Sequence, residues 1–151
     1  MGSKVWLTDN RQIALNWIVD RGSDCIRHAK DQVASHPGAD IIVVGHSLGG
    51  LLAQMVGAKC SLPFVTYNAP PAGRALHAPK ARGLNISINR GPVSRAMGYH
   101  IGPLISLPHY GSNIFDAHTS AAYLKSLKKS KFCNAPIHAT ITAANMRGRW
   151  L

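Results

Sequence analysis

Four consecutive β-branched residues, Ile41-Ile42-Val43-Val44, run directly into Gly45-His46-Ser47-Leu48-Gly49-Gly50, and Leu51-Leu52-Ala53 follow without a charged break. A short continuous apolar run bounded by turn residues is the pattern of a strand buried on both faces of a parallel sheet. The small residues after it require a tight turn. The segment from Leu51 to Lys59, with Leu52, Met55 and Val56 as its packing residues, predicts a helix. A serine at such a strand-to-helix turn sits on a strained backbone, so its near neighbours have to be small. Gly45 and Gly49 are expected to supply that room, and Gly50 to let the helix approach the sheet.

The rest of the chain continues the alternation. Residues 9–35 read as helical, with Ile13, Leu15, Trp17 and Ile18 apolar. A break is expected at Gly22, followed by a second helix capped by Asp24, with Ile26, Ala29 and Val33 on its apolar face. His36-Pro37-Gly38 ends it. Pro63–Tyr67 and Leu84–Ile88 predict further strands, and Ala117–Lys129 a last amphipathic helix with Ala121, Leu124 and Leu127 on one side. Strand and helix in turn favour an α/β fold with a parallel sheet flanked by helices, and 151 residues suit a single domain.

The net charge of +11 lies entirely downstream of the turn. Residues 1–58 balance five basic residues with five Asp, whereas residues 59–151 hold twelve basic residues and one acid, Asp116. Such a field attracts polyanions, either phospholipid head groups or nucleic acid, and a solvated basic face with no partner is the plain alternative. No nucleic-acid-binding motif accompanies the charge, and aromatics are only 7%, so specific nucleic-acid binding is not expected. Three cysteines without ligand spacing, eight scattered histidines and no Glu point to neither a disulfide framework nor a metal site. Dinucleotide and P-loop fingerprints are absent, so no cofactor is expected. No stretch reaches the roughly 18 apolar residues of a membrane span. The first residues lack the apolar core of a signal peptide. Both features point to a cytoplasmic protein, or to one delivered by a secretion route that needs no signal peptide.

The segment Val43–Gln54, centred on Gly45-His46-Ser47-Leu48-Gly49, resembles the nucleophile elbow of class 3-type lipases and the related bacterial phospholipases of the α/β-hydrolase superfamily. Val65-Thr66-Tyr67-Asn68-Ala69-Pro70 is similar to the strand that follows in that family, and Asn89–Ser94 with Tyr99–Gly102 to its acid-bearing loop. Asp116-Ala117-His118, with Tyr123 and Leu127 behind, resembles the start of the helix that carries its catalytic histidine. The resemblance implies a serine esterase that cleaves lipid carboxylic esters through an acyl-Ser47 intermediate. Ser47 is then the nucleophile, His118 the general base, and the Leu48 N–H an oxyanion donor. His46, inside the elbow, is expected to point away from Ser47 and to serve packing. His100 and His109 lie near the site-forming loops, and His100 is a candidate substrate contact. His28, His36, His77 and His138 have no motif around them.

Two departures from the family pattern leave alternatives open. Where the acid loop reads Asp-Pro-Val-Ser, this chain has Gly91-Pro92-Val93-Ser94. Asp116 is a possible third member of the triad, although two residues before His118 it is better suited to capping a helix. A backbone carbonyl, Asn89 or Ser94 are the other candidates to orient the imidazole. Only 46 residues precede Ser47, and none resembles the family's second oxyanion segment, for which Thr8-Asp9-Asn10 is a conceivable substitute. The expectation is a minimal form, or the C-terminal part of a larger fold whose sheet an upstream fragment or partner chain completes. A lipid or phospholipid substrate follows from the resemblance. An anionic membrane surface meeting Lys125, Lys128, Lys129 and Lys131 follows from charge. Because the family includes antibacterial phospholipase toxins, an effector role is compatible with this pattern. The competing expectation is a catalytically impaired module that binds lipid or a protein partner.

Overall fold

Period-two alternation along short strands decides which side chains of this chain meet. A computed structural model describes residues 20–73, 82–89, 99–110 and 116–130. Among them a helix over 20–35 (α1) precedes strand β1 (Val43–His46), helix α2 (Leu48–Cys60) and strand β2 (Phe64–Tyr67). Strands β3 (Gly83–Ile88) and β4 (Leu104–Leu107), a 3₁₀ turn (Asp116–His118) and helix α3 (Ser120–Lys129) follow. The four strands form one sheet in the order β1-β2-β3-β4, and every pair is parallel. The expected α/β class is therefore the observed one.

The register Val43–Phe64–Gly83 and Val44–Val65–Leu84 sorts the side chains into two faces. On one face Phe64, with Ala72, Ile101, Val43, Leu51 and Ala58, forms the core beneath α2. On the other, Val65, Ile86, Ile88 and Leu107 pack against Ala117 and Tyr123, which come from the 3₁₀ turn and α3. Tyr123 meets Tyr67 edge to face, with ring centroids 4.9 Å apart.

Several elements differ from the sequence-based expectation. Gly22 does not break α1. It is buried, and a Cβ there would strike the Met55 side chain, so its bareness lets α1 lie against α2. Asp24 sits inside α1 and pairs with Arg27 on the exposed surface at 2.7 Å rather than capping a helix. Val33 is exposed rather than on the packed face, whereas Ala29 is buried. β1 starts at Val43 and among the described residues is an edge strand, and it is not buried on both faces: Val44 is 60% and Ile42 42% exposed. α2, α1 and this edge border an open apolar groove of about 560 Å³ that includes Ala29, Ile42, Val44, Leu52 and Val56. In α3 the inward residues are Tyr123 and Ser126, while Leu124 is 52% exposed. Thr119 caps that helix by accepting from the Ala122 N–H at 3.2 Å, and of the three residues expected on its apolar side Leu127 packs against the core while Ala121 and Leu124 are exposed. β4 has no counterpart in the periodicity; it is four residues long and lies between Pro103 and Pro108, which an edge strand tolerates.

The face under α2 carries a polar layer. Thr66 Oγ1 donates to Asn85 Oδ1 at 2.6 Å, and Asn85 Nδ2 donates to the Ile101 carbonyl at 2.7 Å. Gln54, fully buried on α2, donates to the Pro70 carbonyl at 2.9 Å. Its Oε1 accepts from the Ala72 and Ile101 N–H groups at 3.4 and 3.3 Å. One side chain thus pins the segments after β2 and before β4 to the elbow helix. Gln54→Leu, which keeps the volume and strands those backbone groups, is expected to lower unfolding free energy by about 2–4 kcal/mol in urea titration. A wild-type midpoint would show that these bonds contribute little.

The glycines of the turn have unequal roles. A Cβ on Gly45 would run into the Gly49 carbonyl, and one on Gly50 would press on Ala69 Cβ and Thr66 Cβ. A Cβ on Gly49 would meet nothing within 4 Å, so Gly49 does not provide the room expected of it. Gly49→Ala is therefore predicted to leave the melting temperature unchanged or to gain up to about 1 kcal/mol from helix propensity. Gly50→Ala should cost about 1–3 kcal/mol through overpacking. Equal effects of the two in thermal melts would contradict this assignment.

Candidate active site

Ser47 occupies the position between β1 and α2 with φ 54° and ψ −126°, in the left-handed half of the map that a non-glycine residue enters at a cost. The backbone is held there from both sides. Its N–H donates to the Tyr67 carbonyl on β2 at 3.0 Å, and its carbonyl accepts from Gly50 N–H at 2.9 Å and Leu51 N–H at 3.3 Å. A serine at a helix N-cap ordinarily turns its hydroxyl back onto the first-turn amides. Ser47 makes no such cap. Its Oγ lies 2.7 Å from Nε2 of His118, which is 71 residues further along the chain.

His118 reaches that point because the turn carrying it is tied to the sheet. Asn68, just past β2, is buried, with φ 46°, a conformation Asn tolerates better than most residues. Its Nδ2 donates to the Ala117 carbonyl at 3.1 Å, and its Oδ1 accepts from the Ile88 N–H at 2.8 Å. One amide therefore joins the ends of β2 and β3 to the residue before His118. The Asp116 carbonyl accepts from Thr119 N–H at 2.9 Å and Thr119 Oγ1 at 2.8 Å, closing the turn from the other side.

The environment keeps the imidazole a base. The pKa of His118 lies below the ordinary histidine value, chiefly because partial burial disfavours the cation, and secondly because of repulsion from His46. A neutral imidazole accepting from a serine hydroxyl is the arrangement that generates an alkoxide-like nucleophile. This pairing needs the tautomer with the proton on Nδ1.

The other expected site residues fall as follows. Leu48 is the first residue of α2 and partly exposed; its N–H belongs to the first turn, whose amides have no partner within the helix. Asp116 opens the 3₁₀ turn two residues before His118. His46 is not the inward packing residue that was expected. It is exposed, and its ring lies 5.2 Å from that of His118, tilted by 31°. Alternation on β1 puts it on the same face as Val44, which is the face the 3₁₀ turn covers. His100 is half-buried in the segment where Ile101 binds Gln54. Lys125 and Lys128 are exposed on α3, and Lys129 Nζ stands 5.1 Å from the centre of the Tyr110 ring. Gly91, Ser94, His77, His138, Lys131 and Thr8-Asp9-Asn10 lie outside the described residues. Among the described residues no three His, Cys, Asp or Glu side chains gather as metal ligands would.

Asn68 and the contact of His46 with His118 were not anticipated from sequence. The signals available were an Asn at a strand end, where a left-handed residue often stands, and the strict alternation of β1.

Comparison with known proteins agrees with this architecture. A fungal protein of Vanderwaltozyma polyspora, provisionally designated the lipase ATG15, is 43% identical over 58 residues, covering 36% of this chain and 10% of its own length. The correspondingly designated proteins of Lodderomyces elongisporus and Kluyveromyces lactis are 52% identical over 48 residues and 37% over 73. These matches cover 30% and 46% of this chain, and 9% and 12% of those proteins. The chain thus matches about a tenth of the length of these curated relatives. The profile of the alpha/beta hydrolase family matches residues 12–141, which is most of the chain, and the chain belongs to that family.

Proposed function

We propose that the chain is a serine esterase of lipase or phospholipase type that cleaves carboxylic esters of lipids. The observation that carries this reading is the 2.7 Å contact between Ser47 Oγ and His118 Nε2 at a strained strand-to-helix elbow. In the first half-reaction Ser47 Oγ attacks the ester carbonyl carbon while His118 Nε2 takes its proton. The negative charge that develops on the carbonyl oxygen is received by the Leu48 N–H at the positive end of α2. Collapse of the tetrahedral species breaks the C–O bond to the alcohol, which leaves with the proton from His118. Water then attacks acyl-Ser47, gives a proton to His118, and releases the carboxylic acid as that proton returns to Ser47 Oγ.

Lipid as the substrate class is supported by the similarity to proteins designated lipases, and by exposed Leu48 beside the nucleophile. The exposed Lys125 and Lys128 suit an anionic surface. The finer assignment to the class 3-type branch rests on the motif resemblance around Ser47 and His118.

Hydrolysis of p-nitrophenyl butyrate and of anionic phospholipid vesicles tests the reading. Ser47→Ala and His118→Ala are each expected to lower kcat by about 10³-fold or more, and a fluorophosphonate should label wild-type Ser47 but not Ser47→Ala. Undiminished hydrolysis by Ser47→Ala would sink the proposal. The neutral form of His118 is the active one, and its lowered pKa places the acid-side fall in kcat/KM below the ordinary imidazole value. A fall centred above that value would contradict the assigned base.

A further inference from the structure

The 3₁₀ turn fixes the main chain around His118, yet the direction of its ring is a separate matter. Hydrogen bonds to the Ala117 and Asp116 carbonyls hold backbone and leave rotation about the side-chain bonds undetermined. Among the described residues two contacts act on the ring itself: Ser47 Oγ at 2.7 Å and the His46 ring at 5.2 Å with a 31° tilt. That separation and tilt fall in the range where neighbouring aromatic rings attract. β1 holds His46 in place, because its register pairs His46 with Tyr67 and so directs its side chain toward the face on which the turn lies.

We propose that His46 is a positioning residue whose ring seats the His118 imidazole against Ser47. The inference rests on Ser47 and His118 forming the reacting pair. A general base must become a cation in the transition state, and a like charge about 5 Å away disfavours that change. Repulsion from His46 is one of the two causes that lower the His118 pKa. Among the described residues the titratable groups on the elements around the two rings are Tyr67 on β2, Asp116 on the 3₁₀ turn, and Tyr123 with the exposed Lys125, Lys128 and Lys129 on α3. Burial raises the pKa of both tyrosines, which keeps them neutral across the working range. α2 carries no titratable side chain before Lys59, at its far end.

The test compares wild type, His46→Phe, which keeps a ring and loses the proton site, and His46→Ala, which loses both. With p-nitrophenyl butyrate at pH 8, His46→Ala is expected to lower kcat about tenfold with little change in KM, and His46→Phe to recover most of that loss. The acid-side fall in kcat/KM should lie at higher pH in both variants than in the wild type. NMR titration of the His118 ring in a Ser47→Ala background reads the same coupling without any turnover. There the His118 midpoint should rise on His46→Phe, because one cause of its lowering is removed. An unmoved His118 titration in His46→Phe, or wild-type kcat in a folded His46→Ala, overturns the proposal. Failure of the parent reading looks different: Ser47→Ala would then hydrolyse esters as the wild type does, whatever stands at position 46.

Discussion

The close approach of α2 to β1 is the constraint on which the rest of the molecule depends. A helix that begins one residue after a strand ends can form only if that residue takes a left-handed backbone, and Ser47 does so at φ 54°. The strain is tolerable because hydrogen bonds on both sides over-determine the turn and because Gly45 and Gly50 present no Cβ where the two elements touch. The same geometry turns the serine hydroxyl away from its own helix. An ordinary N-cap would consume that hydroxyl in a local hydrogen bond; here it is available to another part of the chain.

The two faces of the sheet divide the remaining work. Beneath α2 the core is unusually polar, with Gln54, Thr66 and Asn85 nearly or fully buried, and each has a partner. Buried amides that satisfy backbone groups fix the segments after β2 and before β4 in single positions, which apolar packing alone specifies less sharply. The opposite face is apolar and closes with Tyr67, Tyr123 and Ala117 around the turn that delivers His118. On that second side close packing is joined by one polar pin, the Asn68 amide on the Ala117 carbonyl.

The elbow was legible in the sequence because its chemistry is local: a β-branched run, small residues and an apolar helix stand within a few positions of one another. The strand class and the parallel sheet followed from the same pattern. Exposure did not, since β1 reads as a buried strand and only the sheet order reveals it as an edge with Val44 uncovered. Nor did the buried face of α3, on which Tyr123 and Ser126 lie inward while Leu124 is exposed. β4 escaped notice because four residues between two prolines leave too short a stretch for any period. The roles of Asn68 and His46 depend on contacts with Ala117 and His118, about 50 and 70 positions away, and such contacts leave no spacing to read.

The bond between Ser47 and His118 spans 71 residues and joins the tip of one edge strand to a turn that follows the opposite edge strand. Contacts so distant along a chain are formed late, after the entropy of closing the intervening loop has been offset by the strands between. The Ser47–His118 contact therefore needs the remaining sheet as well as the elbow. Completing the sheet and bringing the serine hydroxyl to the imidazole are thus coupled, and the elbow alone holds a serine without that partner.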